Sequence, residues 1–364
     1  MIELKQERKY HVSGLKGAAC FLIMFSHYIE VYTVAQNFAP SISLIDEINN
    51  SPLGLAFNAS YWLNMFYVTS GYLVARSYIS SISGLIKKSI NRMFRFILPI
   101  FFAYLFIYLF IYRIWGFHTE DTIELFECYF FQMNFRDTYS FVDVLRSPYD
   151  VLFSYRRVLN PPYWCLTTMF YSSVLIYTLK FIYTHMENCS DWIKLSYWIV
   201  AFVISAFADV IVAACLIGAV IAVFEDQVHA YKNSSAFYFF VMILPISLYC
   251  LPEDLIWCVS FAFVLVCIPK VKFINKIFSS RFLLFLDRIS WGIYSFHMPV
   301  LSSIGALILI KMGNSYSLDI AYLCTVGTMI VISIIAAVLY LFTFEHISTY
   351  IADRIRNLLD KILV

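Results

Sequence analysis

Long apolar segments recur from one end of this chain to the other, and a helix that crosses a bilayer needs about 20 largely apolar residues. Ten segments answer to that pattern: residues 14–36, 55–79, 93–115, 162–184, 194–207, 209–224, 236–251, 254–268, 289–310 and 318–343. The fifth and sixth are short. The run from Tyr197 to Phe224 reads as one long helix or as two joined near Ala208-Asp209, the latter tilted or partly buried.

Charge chooses between these readings. Cytoplasmic loops carry an excess of Lys and Arg. With ten spans and a cytoplasmic N-terminus, most of the 26 basic residues fall inside, and the outside receives only Arg113, Arg136, Arg146, Arg156, Arg157 and Lys311. Merging segments five and six would invert all that follows and place the basic stretch 270–288 outside. The N-terminus has the look of a signal peptide, with Thr33-Val-Ala35 as a weak cleavage site. Its apolar stretch, however, contains Ser26, His27 and Glu30, so an uncleaved first span is expected. The expected fold is all-α: a polytopic membrane protein of about ten transmembrane helices with both termini cytoplasmic. Residues 1–364 form one membrane-embedded domain, with a long outer loop over about 117–161.

Composition agrees. Apolar residues make up 61%, charged residues 14%, and the mean hydropathy is +0.74, whereas soluble domains carry about 25% charge. A net charge of +2 gives no reason to expect nucleic acid. The nine cysteines are scattered with no CxxC pair, which argues against a metal site or a disulfide framework. Cys20, between Lys16 and His27, is a conceivable thiol acyl carrier. The outer loop opens acidic, is rich in Tyr and Phe, and ends at Pro161-Pro162-Tyr-Trp164. Lacking strong secondary-structure signals, it reads either as an interfacial cap or as a surface facing an acceptor, since aromatic faces and carboxylates suit sugars.

Ionisable residues inside apolar segments are candidates for chemistry. Lys16 and His27 are eleven residues apart in the first span, about three helical turns or roughly 16 Å, so both point the same way. Imidazole is the usual general base near neutral pH. Glu30, one turn beyond, shares its face and either orients the imidazole or is simply solvated. Arg92 and Arg95 open the third span one turn apart, as a phosphate-binding pair or as ordinary inner-face anchors. Asn64 to Tyr72 places small and hydroxylated residues, Ser70 among them, in the second span, where they allow close helix approach. Ser290 to Pro299 places His297 just before a proline. It either bonds a carbonyl freed by the kink or lines the same cavity as His27. Asp209 and Glu345 are expected at helix ends. No Gly-rich phosphate loop, nucleophile elbow or HExxH signature appears.

Taken together, these residues resemble the acyltransferase-3 family of bacterial integral-membrane acyltransferases over nearly the whole chain. Lys16-X10-His27 is similar to the family's Arg/Lys-X10-His motif, Arg92-X-X-Arg95 to its RXXR, Phe66 to Leu73 to its FFxxSGY/FL stretch, and Ile289 to Pro299 to its late Ser-Tyr-His-Pro stretch. Met169 stands where many members have Glu, and Glu345-His346 where members often have Glu-Pro. The resemblance implies O-acylation, usually O-acetylation, of a cell-envelope polysaccharide or lipid-linked sugar in the bacterial cytoplasmic (inner) membrane. Acetyl-CoA would be the donor, with no metal. It implies Lys16, Arg92 and Arg95 at the donor's phosphates and His27, with Glu30, as the catalytic pair. Ser70, Tyr72, Trp164, Ser290 and His297 are the substrate-binding candidates. Transfer is either direct or through an acyl-enzyme relay. The competing class is a proton-coupled carrier of a sugar or small solute, with His27 and Glu30 as a proton relay. A third is a non-catalytic polysaccharide-assembly partner.

Overall fold

The computed structural model of the chain describes residues 9–33, 58–126, 138–154, 159–225, 254–316 and 318–362, with isolated positions 54, 135, 235, 237, 238 and 241. Among the described residues there are helices and connections but no strand. In chain order the helices are α1 (Tyr10–Thr33), α2 (Ala59–Ala75), α3 (Ile82–Phe106), α4 (Thr119–Phe126), α5 (Phe141–Phe153), α6 (Trp164–Thr184), α7 (Asp191–Ala208) and α8 (Val210–Val223). They continue with α9 (Asp254–Cys267), α10 (Lys272–Phe278), α11 (Arg281–Arg288), α12 (Ser290–Val300), α13 (Ala306–Gly313), α14 (Leu318–Tyr340) and α15 (His346–Ile362). Single π-helical turns continue α3 (Ile107–Tyr112) and join α12 to α13 (Leu301–Gly305) and α14 to α15 (Leu341–Glu345).

Six helical stretches among the described residues are long and apolar enough to cross a membrane: Tyr10–Ile29, Ile82–Trp115, Pro161–Thr184, Asp191–Ala208, Ser290–Gly313 and Ile320–Ile362. A seventh arises if Trp257–Lys270 and Lys272–Phe278, bent by 105°, are one broken span. The protein is thus an all-helical, multi-pass membrane protein, with six or seven such helices among the described residues. α2 and α8 are apolar but only 17 and 14 residues long, and the expected segment 236–251 lies outside the described residues except for three positions.

Several boundaries differ from expectation for local reasons. α3 begins eleven residues before the expected start at 93, because Ser81 caps it, accepting from the Gly84 amide at 3.0 Å. Arg92 and Arg95 therefore lie mid-helix rather than at its opening. The described residues of the expected outer loop include two helices, α4 and α5. The second opens with a capping box between Ser140 and Asp143. Asp209 does sit at a break: it ends α7 and caps α8, accepting from the amides of Ile211 and Val212. Glu345 is not at a helix end. The helix runs on from Leu318 to Ile362 through a π turn. The 43 residues of Ile320–Ile362 would span about 65 Å, twice a bilayer's hydrocarbon core.

α1 lies at the centre, against α2, α10, α11, α12 and α14. Glycines set its closest approaches. A Cβ on Gly14 would collide with the Phe278 carbonyl, and one on Gly17 with the backbone of Leu283 and Asp287. The Gly14-Leu-Lys-Gly17 stretch is thus a docking surface for α10 and α11, and it carries Lys16 to α11. α2 and α8 meet in the same way: Gly71 faces the Cys215 carbonyl and Gly218 the Val68 carbonyl, with no room for a methyl group at either.

One clasp closes the bundle at the start of α1. Lys9 pairs with Glu225 at 3.0 Å, and the Tyr72 hydroxyl donates to the same carboxylate at 2.9 Å. Burial pulls the Glu225 carboxyl up, but the Lys9 and Tyr72 bonds outweigh it and hold the group below its ordinary value.

Candidate active site

A cavity of about 320 Å³ opens between α1, α2, α3, α6, α11, α12 and the π turn before α15. Its charged lining is Lys16, Arg92, Arg95, Asp287 and Glu345. Its apolar lining includes Leu63, Phe66, Leu73, Phe96, Leu166 and Met169. Its volume is at the small end of ligand pockets.

The charges are not equivalent. Lys16 is paired with Asp287 at 2.9 Å, and the Asp287 side chain is 8% exposed. Arg92 donates from Nε to Ser173 at 3.1 Å and from a terminal nitrogen to Ser70 at 3.3 Å, with its guanidinium 4.8 Å from the Phe96 ring centre. The hydroxyls and the ring fix the plane of the Arg92 fork. Arg95, one turn on, is exposed at the rim. The three cations therefore differ: one neutralised, one oriented within the wall, one facing outward.

His27 and His297 form a second layer. Their rings stack with centroids 5.4 Å apart and planes 13° from parallel. Neither lines the cavity, whose lining along α1 includes Lys16 and Ile23. α12 is pinned where His297 sits. The Tyr28 hydroxyl donates to the His297 carbonyl at 3.0 Å. Pro299, inside α12, cannot donate to the Ser295 carbonyl, and the Asn160 amide takes that carbonyl at 3.0 Å. The freed carbonyl is thus not the partner of His297. The His297 Nδ1 instead lies 3.0 Å from the Ile293 carbonyl. Because a carbonyl only accepts, Nδ1 carries the hydrogen, and Nε2 holds a lone pair with no hydrogen-bond partner among the described residues.

Between the layers stands Tyr294. It lines the cavity, its ring is 6.2 Å from that of His297, and it stacks on Tyr163 at 5.5 Å. Its hydroxyl donates to the Pro162 carbonyl and lies 3.2 Å from the Cys165 thiol. The prolines that end the outer loop thereby hold one wall of the cavity.

A model of the acyltransferase domain matches residues 10–342, which takes in the cavity just described except for Glu345. The chain belongs to the acyltransferase-3 family. It is an enzyme that transfers acyl groups. No curated protein and no solved structure is significantly similar to it.

In this acyltransferase, Lys16, Ser70, Arg92, Arg95 and Ser290 of the expected residues meet in one cavity. Others do not join them. Tyr72 points to Glu225. Trp164 begins α6 with 39% exposure and stays off the cavity wall. The side chain of Glu30 lies outside the described residues. Cys20 is buried off the cavity, its thiol donating to the Ser290 carbonyl at 3.0 Å, so it is placed as a packing group rather than a carrier. The sequence reading missed Asp287, Tyr294 and Trp291 and set Glu345 aside. A signal existed for two of them. Asp287 is the only acid between residues 270 and 296, and Glu345 the only one between 320 and 352.

Proposed function

We propose that the enzyme is an O-acyltransferase, in the simplest case an O-acetyltransferase. It would take acetyl from acetyl-CoA at the cytoplasmic face of a bacterial inner membrane and pass it to a hydroxyl of a cell-envelope polysaccharide or lipid-linked sugar. The observation that carries this reading is the two-layer arrangement along α1. A cationic cavity lies at Lys16, and a stacked imidazole pair lies at His27, three turns on. That orientation puts both termini inside, and ten spans remain the topology we favour.

The cavity suits the donor in parts. At about 320 Å³ it is too small for a whole nucleotide thioester. The outward-facing Arg95 would take the phosphates at the rim, and Arg92 and Ser70 would line the path of the acyl-carrying arm. An extended arm covers the roughly 16 Å from Lys16 to His27. His27 then acts as the general base: it removes the proton of the acceptor hydroxyl as that oxygen attacks the thioester carbonyl. The C–S bond breaks and the thiolate leaves with the donor. His297 buttresses the ring, and Ser290 and His297 face the transfer region.

The test is mass spectrometry of envelope glycans from cells carrying the protein, a His27→Ala variant, or neither. Alkali-labile additions of one acetyl mass that need the intact protein support the reading. General-base loss lowers transfer about 10²–10⁴-fold. Equal additions with the variant would remove His27 as the base. No addition in any glycan, with good expression, would overturn envelope glycans as the acceptor.

A further inference from the structure

We propose that Glu345 grips the donor's acyl-carrying arm by accepting a hydrogen bond from one of its amide N–H groups. This rests on the donor reading above. Glu345 ends a π-helical turn inside an otherwise continuous helix, and such turns recur at functional sites. It lines the cavity, yet its Oε2 is shut off from water and has no hydrogen-bond partner among the described residues. A buried acceptor left in that state is costly, so the site is suited to a donor that the described residues do not supply.

The surrounding groups narrow down the donor. The other cavity carboxylate, Asp287, is already paired with Lys16. Arg92 is committed to Ser70 and Ser173. A phosphate carries no N–H and would be repelled by the carboxylate, so what faces Glu345 is an N–H or O–H. Under the proposed function the donor sits in this cavity, with its phosphates at Arg95 on the rim and its arm along Arg92 and Ser70. The molecule at Glu345 is therefore the donor, and the part of an acyl-CoA that bears N–H groups along an extended chain is its amide-containing arm. Glu345 acts as a positioning contact, setting how far the thioester advances toward His27.

The test is ligand binding by the purified full chain in lipid nanodiscs, with acetyl-CoA and with adenosine 3′,5′-bisphosphate, which has the phosphates but no arm. Loss of one hydrogen bond to this buried carboxyl corresponds to about tenfold in Kd. Glu345→Ala is expected to weaken acetyl-CoA binding to that extent and leave the nucleotide fragment within about twofold. Glu345→Gln, which keeps one acceptor oxygen and the side-chain shape, loses less and serves if the Ala variant does not fold. Equal acetyl-CoA affinity in all three proteins would overturn the assignment. Parallel loss for both ligands would overturn it in favour of a structural role. Unchanged donor affinity with lost glycan acetylation would overturn it by moving the contact to the acceptor. If the unaltered protein binds the fragment but gains nothing from the arm, the assignment fails while a nucleotide site stands. If it binds neither ligand, the donor reading fails first and takes the assignment with it.

Discussion

The imidazole of His297 lies against that of His27, with ring centroids 5.4 Å apart and planes 13° from parallel. His297 is itself fixed through Ile293 and Tyr28, so α12 contributes to the orientation of His27. His297→Ala should lower acyl transfer by misplacing His27, but less than His27→Ala does. His297→Phe keeps a flat ring without Nε2. It should restore much of the rate if the ring's role is stacking. Comparing initial rates of the three variants at matched membrane levels measures this, and a His297→Phe rate no better than His297→Ala would show that Nε2 is needed.

Lys16 and Asp287 should behave as a unit. Removing either one leaves a half-buried charge unpaired, a cost on the order of 1–3 kcal/mol given the partial exposure of Lys16. Asp287→Asn and Lys16→Met should each lower the melting temperature, and the double variant should recover part of the loss. A double-mutant cycle on thermal midpoints gives the coupling. Strict additivity would mean that the pair does not stabilise the fold.

Packing at the α2–α8 contact predicts a sharp contrast among glycines. Gly71→Leu and Gly218→Leu force side chains into the backbone carbonyls of Cys215 and Val68, and neither variant should accumulate in membranes. Gly327, in α14, meets nothing within 4 Å. Gly327→Ala should be neutral or stabilising by about 0.5–1 kcal/mol, because Ala suits a helix interior better. Fluorescence-detected size exclusion of tagged variants reads both.

The Glu225 clasp carries an acid-dependent term. Its carboxyl is held below the ordinary value in the folded protein. Its contribution is therefore complete above the unfolded pKa of about 4.3 and fades as pH falls through the folded value. Glu225→Gln should lower the melting temperature at neutral pH and flatten its decline below about pH 4.3. Parallel melting curves across that range for variant and unaltered protein would show that the clasp contributes nothing.

Much of this protein was determined by sequence alone. Apolar blocks of bilayer length can only be satisfied by helices that bond their own backbone, so the all-helical membrane class followed from composition. The distribution of Lys and Arg favoured a break near Ala208-Asp209 over one long helix, and the structure has Asp209 capping α8 there. Lys16 and His27 had to share a face because eleven residues make close to whole turns. What the sequence could not set was which charges meet. Asp287 reaches Lys16 only because Gly14 and Gly17 let α1 dock backbone-to-backbone on α10 and α11, a relation between segments some 270 residues apart. Arg92 is oriented by hydroxyls from two other helices. Glu345 looked like a helix end because a single acid after an apolar run usually marks one. Only the packing of α15 along α3 carries the helix onward and turns that carboxylate into the cavity. Local pattern dictates where helices form; long-range contact decides which side chains share a site, because burial, ion pairing and close approach are properties of pairs of segments.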